Sequence, residues 1–308
     1  PAQLALDPCS ASAVITDVHT GEVRALVTYP SYDNNKFSGT VDAEYYNKLN
    51  NDQSLPLFNN ATQAQKAPGS TFKPIIAVAA LEEGVIGLND TVNCTGIYKE
   101  ISPALRCWIY PGQHGPLDVV HGIQNSCNVF FSEMGHRLSM DENGNYSPEL
   151  GIEKIRKYAS LFGLDETSGI EIAEREPQMT TEKPEASSIG QGKNSYSNVQ
   201  LSRYITAVAN KGTGFKLSLL DKMTDSQGNL LEDFTPEVRS VIDVKDSTWN
   251  AVHTGMRRVI SDGSARKIFS DLEVDIAGKT GTAEEIKNGH RINHAFFVSF
   301  APYQNPEI

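Results

Sequence analysis

The strand-like stretches of this chain sit at its two ends, and the residues between them are patterned mainly as helix. Ala13, Ile15 and Val18 lead into His19-Thr20-Gly21, and Val23, Ala25 and Val27 follow, so residues 12–29 predict a hairpin. Val274 to Glu284 and His294 to Phe300 predict two further strands, the second apolar enough to be central. Strands this far apart can bury a shared face by joining one sheet, with the intervening helices packed around it. The expectation is an α/β fold in one domain spanning residues 1–308. It has a central, mostly antiparallel sheet from about residues 1–66 and 245–308, flanked by helices, and an all-helical lobe within about 67–244.

The helical signals are regular. Ile75, Ile76, Val78, Ala79 and Leu81 form an apolar stripe that ends at Gly84. Asp118 to Leu138 reads as helix interrupted near Asn125-Ser126, and Asp246 to Ile260 as a further helix. Ile152 to Phe162, closed by Gly163, and Asn198 to Asn210, closed by Gly212, read as amphipathic helices. Residues 31–65 are rich in Asn, Asp, Ser and Tyr and predict a surface loop with some helix around Ala43 to Leu49; residues 222–236 predict loop and turn.

Composition narrows the function. Of the 308 residues, 39% are hydrophobic and 21% charged, an ordinary globular balance. The formal net charge of −11 argues against a nucleic-acid partner, which needs a basic face. The longest apolar run, Ile75 to Leu81, is far short of the roughly 20 residues of a membrane helix. Pro1-Ala2-Gln3-Leu4 and Asn305-Pro306-Glu307-Ile308 read as cut ends, so any anchor or targeting segment is expected outside this sequence.

Three short motifs carry chemistry. Ser70 and Lys73 lie one helical turn apart at a helix start, where their side chains share a face. A lysine whose charge is disfavoured by burial can take the proton of a serine hydroxyl and make it a nucleophile. The helix N-terminus adds N–H groups suited to an oxyanion. By itself the pair reads equally as a helix cap, and its pattern recurs as Ser264-Ala265-Arg266-Lys267. Ser126 and Asn128 fall at the break in the second helical region, where a turn or extended loop can bring both to one site; a Ser can relay a proton and an Asn can hold an amide from both sides, while alone the motif reads better as a helix N-cap. Lys279-Thr280-Gly281-Thr282 lies on a strand. Lys279 supplies charge, Thr280 and Thr282 supply hydroxyls for a carboxylate, and Gly281, lacking a Cβ, lets a ligand backbone approach. A solvated edge strand carrying a lysine is the alternative for this motif.

In this order, with a strand under the third, S-x-x-K, S-x-N and K-T-G form the signature of penicillin-recognising serine enzymes. The resemblance is wider than the motifs. Ala67-Pro68-Gly69-Ser70-Thr71-Phe72-Lys73-Pro74 resembles the nucleophile segment of high-molecular-weight penicillin-binding proteins, and Gln124 to Phe131 the second-motif segment of their class B, monofunctional group. Ile189-Gly190-Gln191-Gly192, Ala277 to Glu284 and Asn293 to Pro302 are similar to that group's later segments. Arg106-Cys107-Trp108 and His114-Gly115 resemble its elongation-specific subgroup. The resemblance implies the penicillin-binding-protein/serine β-lactamase-like fold, with the active site between sheet and lobe. It implies a D,D-transpeptidase of peptidoglycan stem peptides that β-lactams acylate. In it Ser70 is the nucleophile, Lys73 the base, Ser126 the relay, Asn128 the amide holder and Lys279 an electrostatic aid. Thr280, Gly281 and Thr282 bind substrate, and the Ser70 and Thr282 N–H groups form the oxyanion hole. It further implies a membrane anchor and a non-catalytic N-terminal domain outside this sequence, a partner glycosyltransferase of the elongation machinery, a place at the cell membrane with the catalytic domain on the extracytoplasmic side, and a last strand and helix beyond Ile308.

Cys94, Cys107, His114 and Cys127 fall in one short stretch, and three thiolates with one imidazole suit a closed tetrahedral zinc site. Some elongation-specific relatives resemble this pattern in placing metal ligands here. A structural zinc would pin the loop carrying Ser126 and Asn128 and is not required for catalysis; a Cys94–Cys107 disulfide or buried thiols fit the same residues. Cys9 is incidental. Glu171, Glu174 and Glu176 read as a solvated face, and Asp17, His19, His136, His253 and His290 carry no motif. Two other functions fit the same three motifs: a β-lactamase or β-lactam sensor, and a catalytically silent wall-synthesis scaffold.

Overall fold

The computed structural model describes residues 10–287 and 290–308, the side chains of 285–287, 290 and 291 excepted; Pro1 to Leu4 and Cys9 lie outside the described residues. The first hairpin pairs β1 (Ala11–Thr16) with β2 (Val23–Tyr29), and Ala11 lies opposite Tyr29. Asp17 sets its turn by accepting from the backbone N–H groups of His19 and Thr20 at 2.9 and 3.1 Å. The other end of the chain forms a longer hairpin than its pattern predicts. β11 (Ala277–Lys287) pairs with β12 (His290–Phe300) in unbroken antiparallel register.

Both hairpins rest on α7 (Asn198–Ala209), and here the expected amphipathic helix is corrected: every residue from Val199 to Ala209 is buried. Its polar side chains face inward onto partners. Thr206 Oγ1 meets Thr16 Oγ1 at 2.6 Å, Gln200 donates to Glu174 at 2.8 Å, and Arg203 donates to the carbonyls of Thr167, Gly163 and Glu166. Buried polar groups with partners produce the same alternation as a solvated face. No ladder joins the two hairpins among the described residues, and a slot of about 160 Å³ between Thr16 and Phe300 separates them over α7.

Between the hairpins run α2 (Lys73–Glu82), α3 (Val119–Gln124), α4 (Asn128–Leu138), α5 (Pro148–Leu161), the single turn α6 (Pro184–Ser187) and, after α7, α8 (Asp246–Ser261). An earlier helix, α1 (Ala43–Asn50), lies in the polar loop as expected. α2 is buried on every side from Lys73 to Leu81, so it is a core helix and not a surface one. α5 begins one turn earlier than its apolar pattern, because Ser147 caps it by accepting from the Leu150 N–H and Pro148 occupies its first turn.

The lobe is not wholly helical. Four short antiparallel pairs interrupt it: β3 (Val92–Cys94) with β6 (Gly115–Leu117), β4 (Ile97–Tyr98) with β5 (Leu105–Arg106), β7 (Thr213–Phe215) with β10 (Val238–Val241), and β8 (Lys222–Thr224) with β9 (Leu230–Asp233). Strands of two to four residues are too short for alternation to reveal.

Candidate active site

Ser70 sits in a 3-10 turn, Gly69–Phe72, that runs directly into α2 at Lys73. The turn is wedged against β11. A Cβ on Gly69 would lie 2.5 Å from the Thr282 carbonyl oxygen, and one on Gly281 would lie 2.8 Å from that of Pro68. The missing side chain of Gly281 thus makes room for the nucleophile turn. On the other sides, Gly69 N–H donates to Gly190 O at 3.0 Å and Tyr204 Oη donates to Thr71 O at 3.0 Å. The Thr282 backbone therefore lies beside the residue that precedes Ser70.

Two buried lysines converge on one hydroxyl. Lys73 Nζ donates to Ser126 O and to Asn128 Oδ1, each at 2.8 Å, and lies 3.4 Å from Ser126 Oγ. Lys279 Nζ donates to Ser126 Oγ at 2.8 Å and to Thr280 O at 2.9 Å. Both lysines are fully buried, which rules out the solvated edge-strand reading of Lys279. Burial pulls the Lys73 ammonium down to about 8, against an upward pull from Cys127 and Cys107. Burial, and then the charge of Lys73, hold Lys279 well below the ordinary lysine range.

The second motif is placed by two helix ends. α3 closes with Ser126 N–H donating to Ile123 O at 3.0 Å and Cys127 N–H to Gly122 O at 3.1 Å, the bond pair of a Schellman motif. Such a cap needs a left-handed residue, and Ser126 supplies it at φ 49° where glycine is usual. Cys127 then caps α4, its sulfur accepting from Phe130 N–H at 3.4 Å. The reversal brings Ser126 and Asn128 to one side while Cys127 turns inward. Asn128 is engaged more fully than expected: its Oδ1 takes Lys73, and its Nδ2 donates to Arg106 O at 3.1 Å. One amide N–H remains for a ligand.

Ser70, Ser126 and Asn128 open into a cleft of about 730 Å³. Thr280, Gly281, Thr282 and Glu284 of β11 line it, as do Leu105, Arg106 and Trp108, and Ile189 and Gln191 complete it. No histidine is among the described residues that line it. A cavity of similar size, about 750 Å³ between Lys211, His253 and Tyr303, shares no residue with this one. Ser264, which the sequence offered only as a chance repeat of the first motif, also lines the cleft, with its hydroxyl 3.3 Å from Thr280 Oγ1. Neither it nor Gln191 carried a signal of a site role beyond lying near a motif or in a family-like segment.

The cysteine stretch closes into a cluster. The ligand atoms of Cys94, Cys107, His114 and Cys127 all lie within 4.8 Å of one another. His114 Nδ1 stands 3.5 and 3.6 Å from the sulfurs of Cys94 and Cys107, and Cys107 and Cys127 sulfurs are 3.9 Å apart. All three cysteines are free thiols, and the disulfide alternative does not hold. With zinc–sulfur bonds of about 2.3 Å and zinc–nitrogen bonds of about 2.0 Å, a tetrahedral Cys3His site has edges of about 3.5 to 3.8 Å, so the donor set suits zinc and these three distances come close to such edges. The hydrogen bond between Cys107 and Cys127 draws the Cys107 thiol down and pushes the Cys127 thiol up.

The acidic run is structural in part. Glu174 accepts from Ser168 and Gln200, and Glu171 from Ser218 Oγ and Leu219 N–H; Glu176 is exposed. His253 is buried with Nε2 2.7 Å from Val208 O, and His136 faces Glu185 at 3.3 Å.

Residues 11–308 match the family model of the penicillin binding protein transpeptidase domain. Peptidoglycan D,D-transpeptidase MrdA of Escherichia coli strain K12 is 32% identical over 329 residues, covering 97% of this chain and 50% of that protein. The chain thus spans about half the length of the curated relatives it matches. Pseudomonas aeruginosa PBP2, solved in complex with WCK 5153, superposes with a TM-score of 0.84 at 28% identity over 99% of this chain and 69% of that one. A chain from a peptidoglycan synthase complex described as coordinating polymerization and crosslinking gives a TM-score of 0.84 at 27% identity, over 96% of this chain and 50% of that one.

Proposed function

The chain belongs to the penicillin binding protein transpeptidase family, and from that premise we propose that it is a D,D-transpeptidase that cross-links peptidoglycan stem peptides through an acyl-enzyme on Ser70. The observation that carries this reading is the sharing of Ser126 Oγ by Lys73 and Lys279. Neutral Lys73 takes the Ser70 proton as Oγ bonds to the carbonyl carbon of the penultimate D-Ala. Ser126 passes a proton to the departing D-Ala nitrogen as the peptide bond breaks. Thr280 and Thr282 hold the terminal carboxylate, Asn128 the substrate amide, and the N–H groups of Ser70 and Thr282 the oxyanion. An amine of a second stem peptide then bonds to the acyl carbon, the ester to Ser70 breaks, and a proton returns to Ser70 Oγ.

The same reading makes residues 1–308 a single transpeptidase domain of a membrane-anchored protein of the elongation machinery, working outside the cytoplasm beside a glycosyltransferase; the relative in a peptidoglycan synthase complex supports that partnership. β-Lactams acylate Ser70 in place of the peptide. Zinc held by Cys94, Cys107, His114 and Cys127 would serve as a structural tie for the loop bearing Ser126 and Asn128.

Intact-protein mass spectrometry with penicillin tests the reading. The expected result is one adduct, mapped to Ser70 and stable for many minutes, and transfer of a D-Ala-terminated donor to an added amine. Release of the adduct within seconds supports a β-lactamase instead, and failure of the folded chain to acylate supports a silent scaffold.

A further inference from the structure

We propose that Arg106 and Trp108 form the binding site for the amine acceptor, and that this acceptor bears a carboxylate on the carbon next to its amine. The inference rests on the transpeptidase reading above and adds the chemical class of the second substrate.

The cleft lining divides by chemistry. The β11 side offers hydroxyls at Thr280 and Thr282, which serve the carboxylate of the donor. Arg106 is the one cation among the lining residues, and it belongs to the separate segment Leu105 to Trp108. Its guanidinium lies 4.9 Å above the Tyr110 ring, which orders the side chain without neutralising it. A planar fork of N–H donors matches a carboxylate in two hydrogen bonds. In a chain of net charge −11, a carboxylate needs such a local cation to enter.

Trp108 is 59% exposed, unusual for the largest side chain, yet it is not free to swing. Its indole N–H donates to Asn125 O at 2.9 Å, and its ring lies 5.4 Å from that of His114. An exposed aromatic held by its N–H, beside a cation that rests on Tyr110, suits a ligand with an apolar stem and a charged end. The wall is also tied to the catalytic groups. Arg106 O accepts from Asn128, whose Oδ1 holds Lys73, and Cys107, between Arg106 and Trp108, clusters with Cys127, between Ser126 and Asn128. An acceptor held by its carboxylate on Arg106 presents the adjacent amine to the acyl carbon on Ser70. The carbon–nitrogen bond forms, the ester bond to Ser70 Oγ breaks, and the proton lost by the amine ends on Ser70 Oγ.

The test is partition of an acyl-enzyme made from a D-Ala-ending thioester, with D-alanine or D-alaninamide as acceptor and water as competitor, read by product mass. The wild-type chain is expected to favour D-alanine over its amide by about tenfold or more, the worth of a charge-assisted hydrogen bond. Arg106→Gln should erase that preference by lowering transfer to D-alanine alone, Arg106→Lys should restore part of it, and Trp108→Ala should weaken both acceptors. Equal use of the two acceptors by the wild type, or an Arg106→Gln that loses both acceptors in equal measure, overturns the proposal. Transfer to no amine at all by a wild-type chain that does acylate removes the transpeptidase reading itself, and the proposal with it.

Discussion

Lys279 Nζ donates to Ser126 Oγ across 2.8 Å, although a long stretch of chain separates the two residues. Lys73 Nζ reaches the same oxygen at 3.4 Å from the opposite side of the sequence. Two ammonium groups around one buried hydroxyl repel, and desolvation penalises each, so the site favours a state in which fewer than two protons reside on the pair. A neutral lysine and a charged one, bridged by a hydroxyl that both accepts and donates, is an arrangement that can move a proton in either direction.

The acylation rate should therefore rise with pH through a limb centred near 8, where the Lys73 ammonium is drawn. The sign follows from the role: the base is the neutral amine, present above that value and lost below it. Penicillin acylation followed from about pH 6 to about pH 10 checks this, because general-base rates track the fraction of free base. A flat profile across that range counts against Lys73 as the base. Lys73→Arg, which keeps the charge and cannot lose it, should acylate at least about a hundredfold more slowly.

At Ser126 stability and activity should part. Its φ of 49° is a conformation that glycine adopts freely and serine does not. Ser126→Gly is expected to be about 1 kcal/mol more stable than Ser126→Ala, because only the first relieves the backbone. Both lose the hydroxyl shared by the lysines, and both should acylate about a hundredfold to ten-thousandfold more slowly. Urea unfolding beside acylation rates decides it, and a Gly variant no more stable than the Ala variant would show that the left-handed cap is not strained.

Much of this site is legible in the sequence. The helix break at Asn125-Ser126 is the Schellman reversal itself, and the glycine and proline before Ser70 mark the turn into α2. What periodicity could not reveal was which polar residues are buried. Gln200, Ser202, Arg203 and Thr206 look like the wet face of α7 and in fact meet partners inside the protein that are distant in sequence. At Gly281 the sequence marks a missing Cβ, but which backbone fills the space beside it is a tertiary fact. Arg106 and Trp108 stood beside a cysteine, and the short strand pair that turns them into the cleft leaves no alternation to read.

Removing metal should loosen the second motif before it unfolds the lobe. The cluster joins β3, the connection from β5 to β6 through Cys107 and His114, and the cap of α4 at Cys127, so zinc bound there would crosslink three segments. Protein purified without chelator is expected to carry about one equivalent of zinc, and dialysis against a strong chelator should lower the melting temperature and slow acylation by about tenfold. Cys94→Ser, whose side chain is remote from Ser126 and Asn128 in sequence, should do the same in the presence of zinc. Less than about a tenth of an equivalent of bound metal in chelator-free protein would end the zinc assignment.

Gly281 and Gly84 separate steric placement from backbone strain. A Cβ at Gly281 would stand 2.8 Å from both Pro68 O and Thr71 Cγ2, so Gly281→Ala must push the nucleophile turn off β11. The expected cost is about 1–3 kcal/mol of stability, the range for overpacking a fitted contact. Acylation should fall by about a hundredfold, since a shift of about 1 Å at a reacting atom has that effect. Gly84 sits just past α2 at φ 67° with nothing within 4 Å of its would-be Cβ. Gly84→Ala should lose about 1 kcal/mol to the left-handed backbone and leave acylation at the wild-type rate. Equal stability losses with unequal activity losses would locate the nucleophile through its contact with the strand. If Gly281→Ala acylates as fast as Gly84→Ala, then α2 alone positions Ser70, and the contact between turn and strand is only packing.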